Sequence, residues 1–294
     1  MPDGILVVDK PAGWTSMDVC AKLRGVFHEK RVGHGGTLDP MATGVLPVFV
    51  GQATKAVPFA EDGKKEYRAS LRLGLVTDTQ DTTGTVLSAS KADVTEDALR
   101  AALSRFTGEI EQVPPMYSAV KVGGKKLYEL ARGGVTVERK PRAVTIFELE
   151  LLGREENGDW ALRVVCSKGT YIRTLCHDAG AALGCGGAMS ALTRTMAAGY
   201  TLEEAAPLDD VLARGEALLR PVDSLFRQYP AYRIADAEAE RRCRCGNPIR
   251  AGGAALNCAA PDGLWRVYGV DGAFLALSHA EGGVLTAVRN FFST

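Results

Sequence analysis

Four residues stand where their type and setting could support chemistry on a bound ligand. Asp39 lies in Gly33-His34-Gly35-Gly36-Thr37-Leu38-Asp39-Pro40, whose glycines let backbone approach a ligand closely. Pro40 pushes Asp39 towards an extended conformation and so restricts how its carboxylate points. Asp-Pro also starts ordinary turns, so local sequence leaves both readings open. Arg173 falls in the first turn of a predicted helix, where the macrodipole disfavours a cation by roughly 0.3–1 kcal/mol. A buried carboxylate partner outweighs that cost; an exposed arginine simply tolerates it. His34 reads as a switch, a ligand or a loop residue. Tyr67 reads as core or as an aromatic wall.

The elements that must position these residues follow from periodicity. Gly4 to Asp9 is an apolar strand ended by the turn Lys10-Pro11-Ala12-Gly13. Thr15 and Asp18 form a capping box ahead of a helix with Val19, Leu23, Val26 and Phe27 on one face. The glycine loop then leads into a buried strand from Val45 to Val50. Tyr67, Ala69, Leu71 and Leu73 alternate with charged or polar residues, which puts Tyr67 on the apolar face of a strand. Thr95 caps a helix running to Phe106, strands follow at 144–152 and 160–166, and the helix holding Arg173 stops at Gly184. After about Phe226 the texture changes to short apolar runs and turns, as in a small β-rich unit. Strands and helices interleave without βαβ spacing, so the fold class is α+β.

Composition excludes several classes. No apolar run nears the ~18 residues of a membrane span, and Met1 to Lys10 lacks the pattern of an export signal, so a cytoplasmic address is expected. Seven scattered cysteines fit reduced thiols better than a disulfide framework. Cys243 and Cys245, with Cys258 and His279, are poorly spaced for zinc. The glycine loop lacks the Gly-Lys-Ser/Thr ending of a P-loop. Asp78 and Asp81 in Thr-Asp-Thr-Gln-Asp-Thr-Thr-Gly could pair as acid and base, but that composition more often marks a turn. Lys plus Arg equals Asp plus Glu at 35 each, so any affinity for nucleic acid must be local. Lys121 to Arg142 supplies a candidate: seven basic residues (Lys121, Lys125, Lys126, Arg132, Arg139, Lys140, Arg142) against Glu129 and Glu138, in a stretch whose glycine pairs suggest a mobile loop.

Taken together, five ordered blocks resemble the TruB family of tRNA pseudouridine synthases across residues 4–206. They are DKPAGWTS, GHGGTLDPMATGVLPV, KEYRASLRLG with TDTQDTTG, PPMYSAVKVGGKKLYELARGG, and CSKGTYIRTLCHDAGAALGCGG. The resemblance implies an isomerase that converts uridine to pseudouridine in the T loop of tRNA, at the position conventionally numbered 55, without cofactor, metal or obligate protein partner. It implies a catalytic domain over 1–226, built on a mixed, mainly antiparallel sheet with a basic RNA-binding insertion at about 121–142. A small RNA-binding, PUA-like domain over 227–294 follows. By the same resemblance Asp39 is the nucleophile and Tyr67 stacks on the target base. Arg173 ion-pairs with Asp39, Tyr171 contacts substrate, Leu192 lines the pocket and His34 fills the gap left by the flipped base. Lys10 and Pro11 brace the active-site loop. Lys125, Lys126, Arg139 and Lys140 are the expected RNA-backbone contacts. Thr193 departs from the family, which usually carries arginine there. A synthase for another RNA, an RNA-folding factor and a metabolic hydrolase are the competing readings.

Overall fold

The computed structural model describes residues 2–250 and 262–292. Strand β1 (Gly4–Lys10) is almost wholly buried, and α1 (Ser16–Phe27) begins at the expected capping box, with both reciprocal bonds at 3.0 Å. The glycine segment is not loop from its first residue. Gly33 and His34 belong to β2 (Val32–His34), drawn into register with Phe49 and Val48 of β3 (Thr43–Val50), which leaves 35–42 as the loop. A short helix α2 (Val57–Asp62) leads to β4 (Lys65–Leu73), where Tyr67, Ala69 and Leu71 are buried as their alternation predicts. The hairpin β5 (Leu75–Thr77) and β6 (Val86–Ala89) flanks the Asp/Thr turn. Helix α3 (Glu96–Leu103) is capped by Thr95 and continues as a tighter turn to Phe106.

After β7 (Gly108–Gln112), the basic stretch is more ordered than its glycines suggest. A two-residue hairpin, β8 (Lys121–Val122) and β9 (Lys125–Lys126), turns at Gly123 and Gly124, which hold φ of 59° and 83° as only glycine does without strain. Helix α4 (Leu127–Arg132) follows, and burial of Leu127 anchors it. The sheet then gains β10 (Arg142–Arg154), β11 (Trp160–Cys166), α5 (Ile172–Ala182) on its face, β12 (Gly187–Ala197), β13 (Tyr200–Thr201) and β14 (Ala206–Pro207), with α6 (Leu208–Arg214) at the edge.

The ten-stranded sheet runs β14-β1-β3-β12-β4-β11-β10-β7, with β13 on β12 and β2 on β3. The β1–β14 and β3–β12 pairs are parallel and the others antiparallel, a mixed and mainly antiparallel sheet as expected. Its main core packs α1, α3 and α5 against one face. The C-terminal residues form a second sheet from β15 (Ala231–Arg233), β16 (Ile249–Arg250), β17 (Gly263–Tyr268), β18 (Phe274–Glu281) and β19 (Val284–Asn290). It also contains a helix, α7 (Ala237–Arg244), capped by Asp236, which short apolar runs did not reveal because its exposed face is charged. Phe226, Phe274 and Phe291 join the two sheets across a shared apolar cluster, with Phe274 stacked on Phe291 at 5.2 Å.

Cys243 is buried on α7 and Cys245 exposed, while Cys258 lies outside the described residues. Among the described residues no His/Cys/Asp/Glu group is arranged to hold a metal, and no helix is long and apolar enough to cross a membrane.

Candidate active site

The loop between β2 and β3 presents Asp39 and is pinned from behind. Leu38 N–H donates to Ser16 Oγ at 2.9 Å, and the same hydroxyl lies 3.3 Å from Leu38 O, tying the loop to the start of α1. Lys10, fully buried at the end of β1, donates from Nζ to the carbonyls of Pro11, Trp14 and Pro40 at 2.8, 2.7 and 3.3 Å. Burial pushes its ammonium down to about 8, with Asp39 the largest opposing influence. Lys10 therefore clamps the Asp39-Pro40 corner.

Arg173 resolves its own ambiguity. Its side chain is only 5% exposed, and Nε and Nη2 reach the two oxygens of Asp39 at 2.8 and 3.0 Å. This two-pronged contact is the strong, orienting kind of arginine–carboxylate pair, and it outweighs the dipole penalty of a cation at the start of α5. The remaining donors reach Thr79 O at 3.0 Å and Tyr117 O at 2.8 Å. One guanidinium thus gathers three chain segments around a carboxylate that is itself 31% exposed.

Asp81, read from sequence as a turn residue, is both that and a neighbour of the site. Its Oδ1 accepts from the hydroxyls of Thr79 and Thr83 and from Thr83 N–H, at 2.9, 2.6 and 2.9 Å. Its Oδ2 faces Arg173 Nε at 3.9 Å, from a side chain 7% exposed. The Asp/Thr composition carried the turn; nothing in it announced Arg173, which lies far away in sequence.

Strand β12 supplies the opposite wall. Leu192, buried, pairs with Ala69 of β4, and Arg194 pairs with Tyr67. Tyr67 is 7% exposed, and burial pushes its phenol up, opposed chiefly by the Arg194 charge. His34 on β2 has a buried Nδ1 with no hydrogen-bond partner, and burial, with Arg194 nearby, pushes its imidazole down. Tyr171 immediately precedes α5, its main chain bonded to the Gln112 side chain in both directions, and partial burial pushes its phenol up too. Thr193, the departure from the family pattern, bonds the Thr43 hydroxyl at 2.9 Å. Both border an open cleft of about 430 Å³ shared with Asp9, Lys10 and Asp209.

The cations of the basic segment differ in their exposure. Lys125 and Lys140 are exposed. Lys126 is half-buried against the Tyr128 ring and hydroxyl, and Arg139 donates to Pro114 O at 3.2 Å. Sequence reasoning noted Arg194 beside the Thr193 departure but gave it no role. It stands two residues beyond Leu192 on β12 and is fully buried, yet in the sequence it is one arginine among many.

Comparison with known proteins gives the family of the chain. Residues 24–172 match the family model described as TruB family pseudouridylate synthase (N terminal domain), and 173–227 match the tRNA pseudouridylate synthase B C-terminal domain. A protein named tRNA pseudouridine synthase B from Ralstonia pickettii (strain 12J) is 44% identical, over 97% of this chain and 93% of its own length. One of the same name from Aromatoleum aromaticum is 43% identical, over 99% and 93%. Among solved structures, a Cbf5-Nop10-Gar1 complex superposes with a TM-score of 0.72 at 27% identity, covering 98% of this chain and 85% of that one. An H/ACA RNP bound to a substrate RNA containing 2′-deoxyuridine gives 0.73 at 26%, covering 99% and 85%. With matches of this extent, on both the sequence and the fold that carries Asp39, the chain belongs to the TruB family of pseudouridylate synthases.

Proposed function

We propose that this enzyme isomerises uridine to pseudouridine at the position conventionally numbered 55 in the T loop of tRNA, with Asp39 as its nucleophile. The observation that carries the reading is the two-pronged Arg173–Asp39 pair at 2.8 and 3.0 Å, which leaves an oriented, partly open carboxylate. The names of the 43–45% identical relatives support tRNA as substrate. The reaction breaks the bond from uracil N1 to C1′, joins C5 to the same carbon, and releases the C5 hydrogen as a proton. The uridine must leave its stack, at a few kcal/mol. Stacking on an aromatic ring returns roughly 1–3 kcal/mol. Tyr67 takes that role, with Leu192 as pocket wall, Tyr171 contacting the nucleotide and His34 filling the vacated space. Because Tyr67 is only 7% exposed, stacking requires the residues that cover it to yield as the nucleotide enters.

The reading assigns residues 1–226 to catalysis and 227–294 to RNA binding, with phosphates met by the exposed cations of the 121–142 segment, in the cytoplasm where tRNA is found. Transcribed tRNA carrying tritium at uridine C5 tests it. Release by the wild type and none by Asp39→Asn, with tRNA still bound, is the expected result. One solved neighbour is an H/ACA RNP bound to a substrate RNA, so a synthase for another RNA is the second reading. Release from a ribosomal RNA fragment but not from tRNA selects it.

A further inference from the structure

We infer that Arg194 is a positioning residue for the reaction proposed above: from the centre of the sheet it holds the Asp39 loop and Tyr67 in one fixed relation. The inference rests on that functional reading. Three observations carry it. Arg194 is fully buried, and its guanidinium is held by backbone carbonyls rather than by a carboxylate: Nε to Val45 O at 2.7 Å, Nη2 to Gly36 O at 3.0 Å and Nη1 to Thr37 O at 3.5 Å. Gly36 and Thr37 belong to the loop that presents Asp39, and Val45 to the strand that follows it. A buried cation satisfied only by neutral acceptors is costly, so apolar side chains of similar volume would serve packing better. Its burial at this position points to a task that packing does not perform.

Second, β12 lies between the two site-bearing strands, and Arg194 is in register with Gly44 of β3 on one side and Tyr67 of β4 on the other. A Cβ at Gly44, whose φ is +98°, would collide with the Arg194 backbone, so this approach is open only to glycine. Third, the Arg194 charge bears directly on Tyr67, drawing its phenol back down against the upward push of burial. One side chain therefore sets the distance between the reactive carboxylate and the aromatic wall.

The test uses the full chain and tritium release under single turnover, normalised to the fraction of protein that binds tRNA. Arg194→Met is expected to lower the rate by about 100-fold, the effect of a misplacement near 1 Å, while tRNA affinity is unchanged. Arg194→Lys, which keeps the charge and some donors, should regain about tenfold of that loss, and it serves as the measurable variant if methionine prevents folding. On a Tyr67→Phe background Arg194→Met should cost less than on the wild type, because part of its effect has already been removed. Loss of rate that vanishes on normalisation, or strict multiplicativity with Tyr67→Phe, overturns the inference and leaves a structural arginine. An inactive wild type overturns the functional reading and this inference with it; an active wild type with fully active Arg194 variants overturns this inference alone.

Discussion

Arg173→Met is the perturbation with the largest consequence that the structure lets us size. It removes both contacts to Asp39, the bonds to Thr79 O and Tyr117 O, and the nearest cation to Asp81. Deleting one partner of a buried ion pair costs about 3–5 kcal/mol, mostly from the charge left behind. Asp39 is 31% exposed and can rehydrate, whereas Asp81 is 7% exposed and cannot, which places the cost near the lower end, about 3 kcal/mol. For a chain of this size that corresponds to a fall in melting temperature of roughly 6–12 °C. Three segments lose their common anchor, so the rate should fall further than stability suggests, by about 10²–10³-fold. Arg173→Lys keeps the charge but cannot form the fork, so it should recover stability better than rate. Calorimetry and single-turnover tritium release on the same preparations provide the check. A melting temperature within about 2 °C of wild type, with an unaltered rate, would refute the reasoning that Arg173 is the anchor.

The remaining expectations are narrower. Neutralising Lys125 and Lys140, which are exposed, should weaken tRNA binding and flatten its salt dependence by about 0.7 per lost phosphate contact. Neutralising Lys126 or Arg139, which are engaged with Tyr128 and Pro114, should change it less; filter binding across a salt series separates the two pairs. Burial holds the Lys10 and Lys65 ammonium groups near 8, below their usual 10.5. A depressed lysine leaves the unfolded chain binding more protons between those values, so this contribution raises stability as pH climbs from about 8 to about 10.5. Denaturant titrations of wild type and Lys65→Met should diverge in that window and run parallel below it. Gly44→Ala should destabilise the protein strongly, because it combines a collision with the Arg194 backbone and a positive φ; wild-type melting behaviour would contradict the close β3–β12 approach.

How much of this could be read in advance depends on the range of the interaction. The capping box at Thr15, the alternation that buries Tyr67, and the apolar face of α1 are signalled within a few residues, and each formed as its pattern predicted. The family motif identified Asp39 and Arg173, and the structure brings them into contact. The β2 pairing of Gly33 and His34, the ordering of the basic segment around Leu127, and the helix α7 were not legible. Each is decided by a partner strand or core supplied elsewhere in the chain, which overrides local glycine content and polarity.

The same physical reason governs the site. Sequence determined which side chains carry charge, which faces are apolar, and that an aspartate sits beside a proline in a glycine-rich loop. Only tertiary structure decided that Asp81 faces Arg173 from within its turn, that Lys10 donates its ammonium to Pro40, and that Arg194 is buried among carbonyls between Gly44 and Tyr67. Those contacts join residues far apart in sequence. Their energies arise from removing charge from water, and the depth at which a side chain lies is a property of the packed sheet rather than of its neighbours along the chain.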